Sequence, residues 1–210
     1  MTLRFDLDFQ FKGNRNYVHG TDMLNTITDV LSQRLPMPMK NMDIQIHRMT
    51  SSNLTLDLTQ DRTAIAPTPE NVATLSLTAG DVLWYGRLRE RDARPVGRYP
   101  YDEDSLAAVC EFAASDTGRP SIVLRSPAPF TPIETFVAMT KALHLRALPD
   151  ASGKWVFCRW VSARWPLALP AEDITVTLTQ ALGVRLTQSK ISVGGELAGT
   201  VYFSASVNKH

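Results

Sequence analysis

The chain runs through one order of elements twice: a strand, a loop, a single amphipathic helix, then a set of long strands. In the first pass, 3-LRFDLDFQF-11 alternates, with Leu3, Phe5, Leu7, Phe9 and Phe11 on one side. A period of two marks a strand covered on one face. The loop 12-KGNRNYVHG-20 leads to a helix from Thr21 or Asp22, either of which can cap its first turn. Met23, Leu24, Ile27, Val30, Leu31 and Leu35 recur at steps of three and four, one face of that helix. It stops at 36-PMP-38, because proline lacks the N–H and clashes with the preceding turn. Strand-like runs follow at 42–58, 72–88 and 105-SLAAVCEFAA-114, with the polar loop 59-TQDRTAIAPTPEN-71 between the first two.

The second pass repeats this. A strand, 121-SIVL-124, and the loop 125-RSPAPFTP-132 precede the helix 133–148, entered through a Thr131 cap and Pro132. Strand runs follow at 154–165, 174–191 and 196–207. Laying Asp22 on Glu134 brings Phe11 onto Val123, Leu24 onto Phe136, Ile27 onto Met139 and Leu31 onto Leu143. The longer loop 59–71 absorbs the difference in length. The turn-rich stretch 115-SDTGRP-120 divides the chain into halves 1–116 and 117–210. One helix cannot close a core, so each half predicts an α+β unit whose antiparallel sheet covers its helix.

Charge is balanced, with Lys+Arg 22 against Asp+Glu 21, which gives no reason to expect a nucleic-acid partner. The alternating, charged N-terminus is unlike a signal peptide, and no apolar run reaches the ~18 residues of a membrane span. A cytoplasmic location is the expectation. Cys110 and Cys158 stand far apart in apolar surroundings and read as buried thiols. His19, His47, His144 and His210 show no metal-ligand spacing, so neither metal nor cofactor is expected. No GxSxG is present to make a serine-hydrolase elbow.

The densest chemistry lies in 17-YVHGTD-22. His19 titrates near neutrality, which suits proton transfer. Gly20 lets backbone approach a substrate closely. Asp22 and Glu134 each stand in the first turn of a helix, where a carboxylate serves either acid–base chemistry or the helix dipole. Arg15 and Tyr17 flank His19 as substrate-binding candidates. Trp84 and Trp160, within aromatic-rich strands, are candidates for a pocket wall. The charge run 87-RLRERDARPVGR-98 reads as a solvated strand end or a phosphate-binding rim, and 191-ISVGGELAGT-200 as a turn.

This order of elements resembles the hotdog fold, a helix wrapped by a long curved antiparallel sheet. Its two copies resemble the double hotdog, in which one chain reproduces the usual dimer as a pseudo-dimer. The resemblance implies an acyl thioester substrate, carried on coenzyme A or an acyl carrier protein, and either thioester hydrolysis or 3-hydroxyacyl dehydration. A non-catalytic acyl-binding or assembly protein that keeps the fold is the alternative. Hotdog dehydratases place a histidine and a glycine ahead of the central helix and take a carboxylate from the partner helix. His19–Gly20 is similar to the first, without the aromatic and proline that the family sets between them. Glu134, or else Asp22, is similar to the second. The resemblance thus implies His19 as general base or orienting residue, Glu134 as complementary carboxylate and Asp22 as cap and reserve acid. Such a chain needs no second copy, although two can associate through a sheet edge.

Overall fold

The computed structural model describes residues 1–65, 68–126, 130–149, 154–167, 173–183 and 185–206; His210 lies outside them. The chain divides into two compact units: Met1–Tyr101 with Val161–Pro166, and Asp102–Trp160 with Leu167–His210. The turn at 115–120 lies inside the second unit.

In the first unit, β1 (Thr2–Leu7) and β2 (Phe11–Lys12) precede helix α1 (Gly20–Ser32). Then come β3 (Met39–Ile46), β4 (Leu54–Thr59), a 3-10 turn (Arg62–Ile65), β5 (Asn71–Ala79), β6 (Val82–Glu90) and β7 (Arg98–Tyr99). The large strands lie in the order β1-β4-β6-β5-β3 and pair antiparallel. β2 and β7 form a small parallel pair. The run 3–11 proves to be two strands: the alternation holds through Phe9, with Leu7 and Phe9 buried and Arg4, Asp6 and Asp8 exposed, but β1 ends at Leu7 and Phe11 belongs to β2. Register aligns Leu3, Leu58, Gly86, Leu75 and Ile44 in one row across the sheet. Glycine is required at its centre. A Cβ at Gly86 would lie 2.9 Å from Leu75 Cγ and 3.1 Å from Leu58 Cδ1, so the two leucines close over the bare backbone. α1 buries Met23, Leu24, Ile27 and Leu31 of the face that the spacing predicts; Val30 is half-buried, and the helix ends at Ser32, before Leu35 and the prolines.

The second unit opens with α2 (Glu103–Ala108), β8 (Glu111–Ala114), β9 (Pro120–Leu124) and α3 (Pro132–Ala147). β10 (Lys154–Trp165, whose residues from Val161 on belong to the first unit), β11 (Ile174–Leu182), β12 (Leu186–Val193) and β13 (Glu196–Ser206) follow. The sheet order is β8-β9-β11-β12-β13-β10. The strand expected over 105–114 is corrected here. Asp102 accepts a bond from the Ser105 N–H and starts a helix at Glu103, leaving only Glu111–Ala114 extended. The runs 42–58, 72–88 and 174–191 each prove to be two strands, broken at 47–53, 80–81 and 183–185.

The halves share element order but differ in strand order. In the first, β4 pairs with β6, and β5 lies beyond it. In the second, β11 pairs directly with β12. That accounts for the length difference: passing over a strand position sets β4 and β5 eleven residues apart in sequence, whereas β11 and β12, which pair directly, are three apart. Among the described residues, no helix is long and apolar enough to cross a membrane.

α3 is buried almost all round its first two turns, from Ile133 to Thr140. Its last turn carries His144, fully buried with both ring nitrogens unpartnered. The imidazole lies 4.7 Å from the Trp155 ring and 5.1 Å, edge on, from Phe203. Burial among these rings lowers its pKa from 6.5 to about 4. Above pH 6.5 the ring is neutral both folded and unfolded. Between 6.5 and 4 the unfolded chain takes up the proton first, so stability falls with pH across that window, by about 3 kcal/mol in full. Urea denaturation at pH 7 and pH 4.5 is expected to show this loss in the wild type and most of it abolished in His144→Leu.

Candidate active site at the start of helix α1

His19, with extended backbone (φ −77°, ψ 141°), is the residue that caps α1, so the cap falls before the expected Thr21 or Asp22. The N–H groups of Asp22 and Met23 both return to the His19 carbonyl, at 3.0 and 3.1 Å. Gly20 and Thr21 therefore carry the first-turn N–H groups left to an acceptor from outside the helix. His19 is half-buried, and its Nδ1 lies 2.7 Å from Thr21 Oγ1. Tyr17 stands beside it, ring centroids 6.3 Å apart.

Under this turn lies a residue that the sequence did not single out. Lys12 is fully buried, and its ammonium donates to Asp22 Oδ1 at 2.9 Å and to Thr21 Oγ1 at 3.0 Å. The Tyr101 ring lies 4.2 Å from Nζ and the Tyr99 ring 5.7 Å. Tyr99 also donates its hydroxyl to Asp22 Oδ1 at 2.8 Å. A lysine this deep is stable only because carboxylate, hydroxyl and two ring faces replace its water. The parallel pair β2–β7 builds the arrangement, since its register Phe11↔Arg98 and Lys12↔Tyr99 sets the lysine beside the tyrosine. Arg98 fastens the loop by donating to the Gly13 and Arg15 carbonyls.

Asp22 accordingly acts as an acceptor, its Oδ1 taking bonds from Lys12, Tyr99 and Thr21. Arg15 lies over the Tyr101 ring at 5.5 Å, so Arg15, Tyr17, His19, Gly20 and Asp22 do gather round one helix start. Trp84 is instead a core residue of β6, 4% exposed. Glu134 and Trp160 belong to the second unit. Glu134 closes a capping box, its Oε2 accepting the Thr131 N–H at 2.9 Å and hydroxyl at 2.7 Å. Trp160 is fully buried, stacked on Phe136 at 5.6 Å.

The remaining candidates are structural. Arg87 and Arg89 of the charge run, with Arg4, converge on Asp57, and Arg91 pairs with Asp6 and Asp8. Arg125 bridges Glu111 and Asp173. Cys110 and Cys158 are free and half-buried, and burial pushes the Cys110 thiol up to about 11, away from nucleophilic use. Gly194 and Gly195 make the turn between β12 and β13 with φ of 57° and 83°. Among the described residues, no cluster of His, Cys, Asp and Glu could hold a metal ion.

Breaking a buried pair from one side strands the other charge. Lys12→Met is therefore expected to cost about 3 kcal/mol in chemical denaturation, part of it recovered by adding Asp22→Asn. Additive effects of the two changes would show that the pair is not coupled.

No family model matches the chain, and the search of curated proteins gives no match. Solved structures do match. A tesB protein of Mycobacterium avium subs paratuberculosis superposes with TM-score 0.51 and 12% identity, over 97% of this chain and 93% of that one. The dehydratase domain of a mycocerosic acid synthase-like PKS gives 0.50 and 9%, over 99% and 91%. The dehydratase domain of PpsC from Mycobacterium tuberculosis gives 0.49 and 12%, over 98% and 93%. At such identities the likeness is one of fold. With a helix and its antiparallel sheet in each unit, that fold is the hotdog fold.

Proposed function

We propose that this chain acts on an acyl thioester at the start of α1, that the reaction is hydrolysis, and that His19 is the general base. The observation that carries this is the pairing of two features on one helix turn. A histidine is held at Nδ1 by Thr21, and next to it stand the first-turn N–H groups of Gly20 and Thr21. In this reading the thioester carbonyl oxygen accepts from those N–H groups, which stabilise the negative charge that develops on it. His19 Nε2 takes a proton from water as the hydroxide oxygen bonds to the carbonyl carbon. The C–S bond then breaks, and the thiolate leaves with the proton from the imidazolium. Arg15 and Tyr17 flank the entry as substrate-binding residues, and coenzyme A or an acyl carrier protein supplies the thiol.

Fold-level likeness to a PKS dehydratase domain keeps dehydration of a 3-hydroxyacyl thioester in view. That reaction needs a second group to protonate the departing hydroxide. Asp22 accepts from a lysine and a tyrosine, and Glu134 accepts from its own helix cap. Asp22 Oδ1 and Glu134 Oε2 are thus taken up as acceptors, which favours hydrolysis.

The test is incubation with acyl- and 3-hydroxyacyl-coenzyme A substrates, following free thiol and enoyl absorbance. Thiol release is expected, reduced ~100-fold in His19→Ala. Glu134→Ala is expected to lose about 1 kcal/mol of stability as a helix cap and to keep kcat/KM within a few fold. Enoyl product, with loss of turnover in Glu134→Ala, would replace hydrolysis by dehydration. No turnover with any substrate would leave an acyl-binding protein.

A further inference from the structure

We infer that Lys12 is a positioning residue for His19, acting through the Thr21 hydroxyl to fix which imidazole nitrogen carries the proton and to limit the pull of Asp22 on it. The inference rests on His19 being the base.

Counting donors and acceptors leads there. Thr21 Oγ1 has one hydrogen and two lone pairs. One lone pair accepts from Lys12 Nζ at 3.0 Å. Two neighbours remain, His19 Nδ1 at 2.7 Å and Asp22 Oδ1 at 3.3 Å. Asp22 can only accept, so the arrangement that uses every site has Thr21 donating to Asp22 and accepting from Nδ1–H. That puts the proton on Nδ1 and the lone pair on Nε2, as a general base acting from Nε2 requires. The same Nδ1–H bond survives when Nε2 takes up its proton, so nothing rearranges during transfer.

The charges are balanced in the same way. The Asp22 carboxylate, joined to His19 through Thr21 Oγ1, by itself favours the imidazolium. The Lys12 ammonium on the same Oδ1 offsets it. Tyr99 and Tyr101 keep the lysine in place from the β7 side. The two charges therefore bias His19 in opposite directions, and removing each singly must move it in opposite directions. A lysine that served packing alone would do neither.

The experiment is ¹⁵N-resolved NMR titration of His19 in the full chain, beside the pH dependence of kcat/KM. Wild type is expected to show the Nδ1–H tautomer. Lys12→Met should raise the His19 pKa by roughly half a unit to one unit, and Asp22→Asn should lower it by a similar amount. Thr21→Val leaves the Lys12–Asp22 ion pair in place, so it tests the relay apart from the charges. It should release the tautomer toward Nε2–H and lower kcat more than it raises KM. Shifts of the same sign in Lys12→Met and Asp22→Asn, or an unchanged tautomer in Thr21→Val, would overturn the inference. The two readings fail separately. Opposite shifts without thioester turnover would sustain the coupling and sink the hydrolase. Turnover that needs His19 but ignores Lys12 and Thr21 would do the reverse.

Discussion

A helix that buries most of its surface has to be covered by something that can follow its curvature, and in each unit a sheet does this. α3 shows the constraint in its strongest form, since eight consecutive residues from Ile133 to Thr140 are buried. No amphipathic stripe describes such a helix. In its sheet, Val176 faces Ile191, and Leu178, Ser189 and Val201 share one row, all five side chains buried. In the first unit the row through Gly86 sets Leu58 and Leu75, both buried, on either side of the bare glycine. The position of each helix start follows from this packing, and with it the position of every group that the helix start presents.

Much of this was legible because helix and strand periods leave local marks. The steps of three and four in 23–31, the Thr131–Pro132 entry and the alternation of 3–9 each depend only on near neighbours in sequence. The stretch 105–114 was misread because a short apolar run has no period of its own, and the deciding bond, from Ser105 N–H to Asp102, lies just outside it. The exchange of middle strands between halves left a single trace, the surplus length of 59–71. Its cause, a strand position passed over, is a fact about pairing that a linear reading does not contain.

The candidate site divides along the same line. His19, Gly20 and Asp22 were visible because they adjoin in sequence at a helix start. Lys12 was not, because what makes it exceptional is burial. Its partners come from Asp22, ten residues on, and from Tyr99 and Tyr101, nearly ninety residues away. A lysine in a polar loop has the same letter whether it faces water or Asp22. The usable hint was 99-YPY-101, two aromatic rings round a proline in an otherwise charged stretch, which is more aromatic surface than a solvated loop needs.

The duplicated frame shows why the two helix starts differ in what they can do. His19 and Thr131 occupy the same cap position, and Asp22 and Glu134 the same third helical position. In α3 the carboxylate folds back onto its own cap, and Pro132 removes one first-turn N–H altogether. That helix start satisfies itself and offers little to a ligand. In α1 the carboxylate is drawn the other way, onto Lys12 and Tyr99, and glycine stands where the proline would be. The Asp22 carboxylate thereby forms no capping box, and the cap residue is one that can move a proton. The buried lysine is what permits this departure.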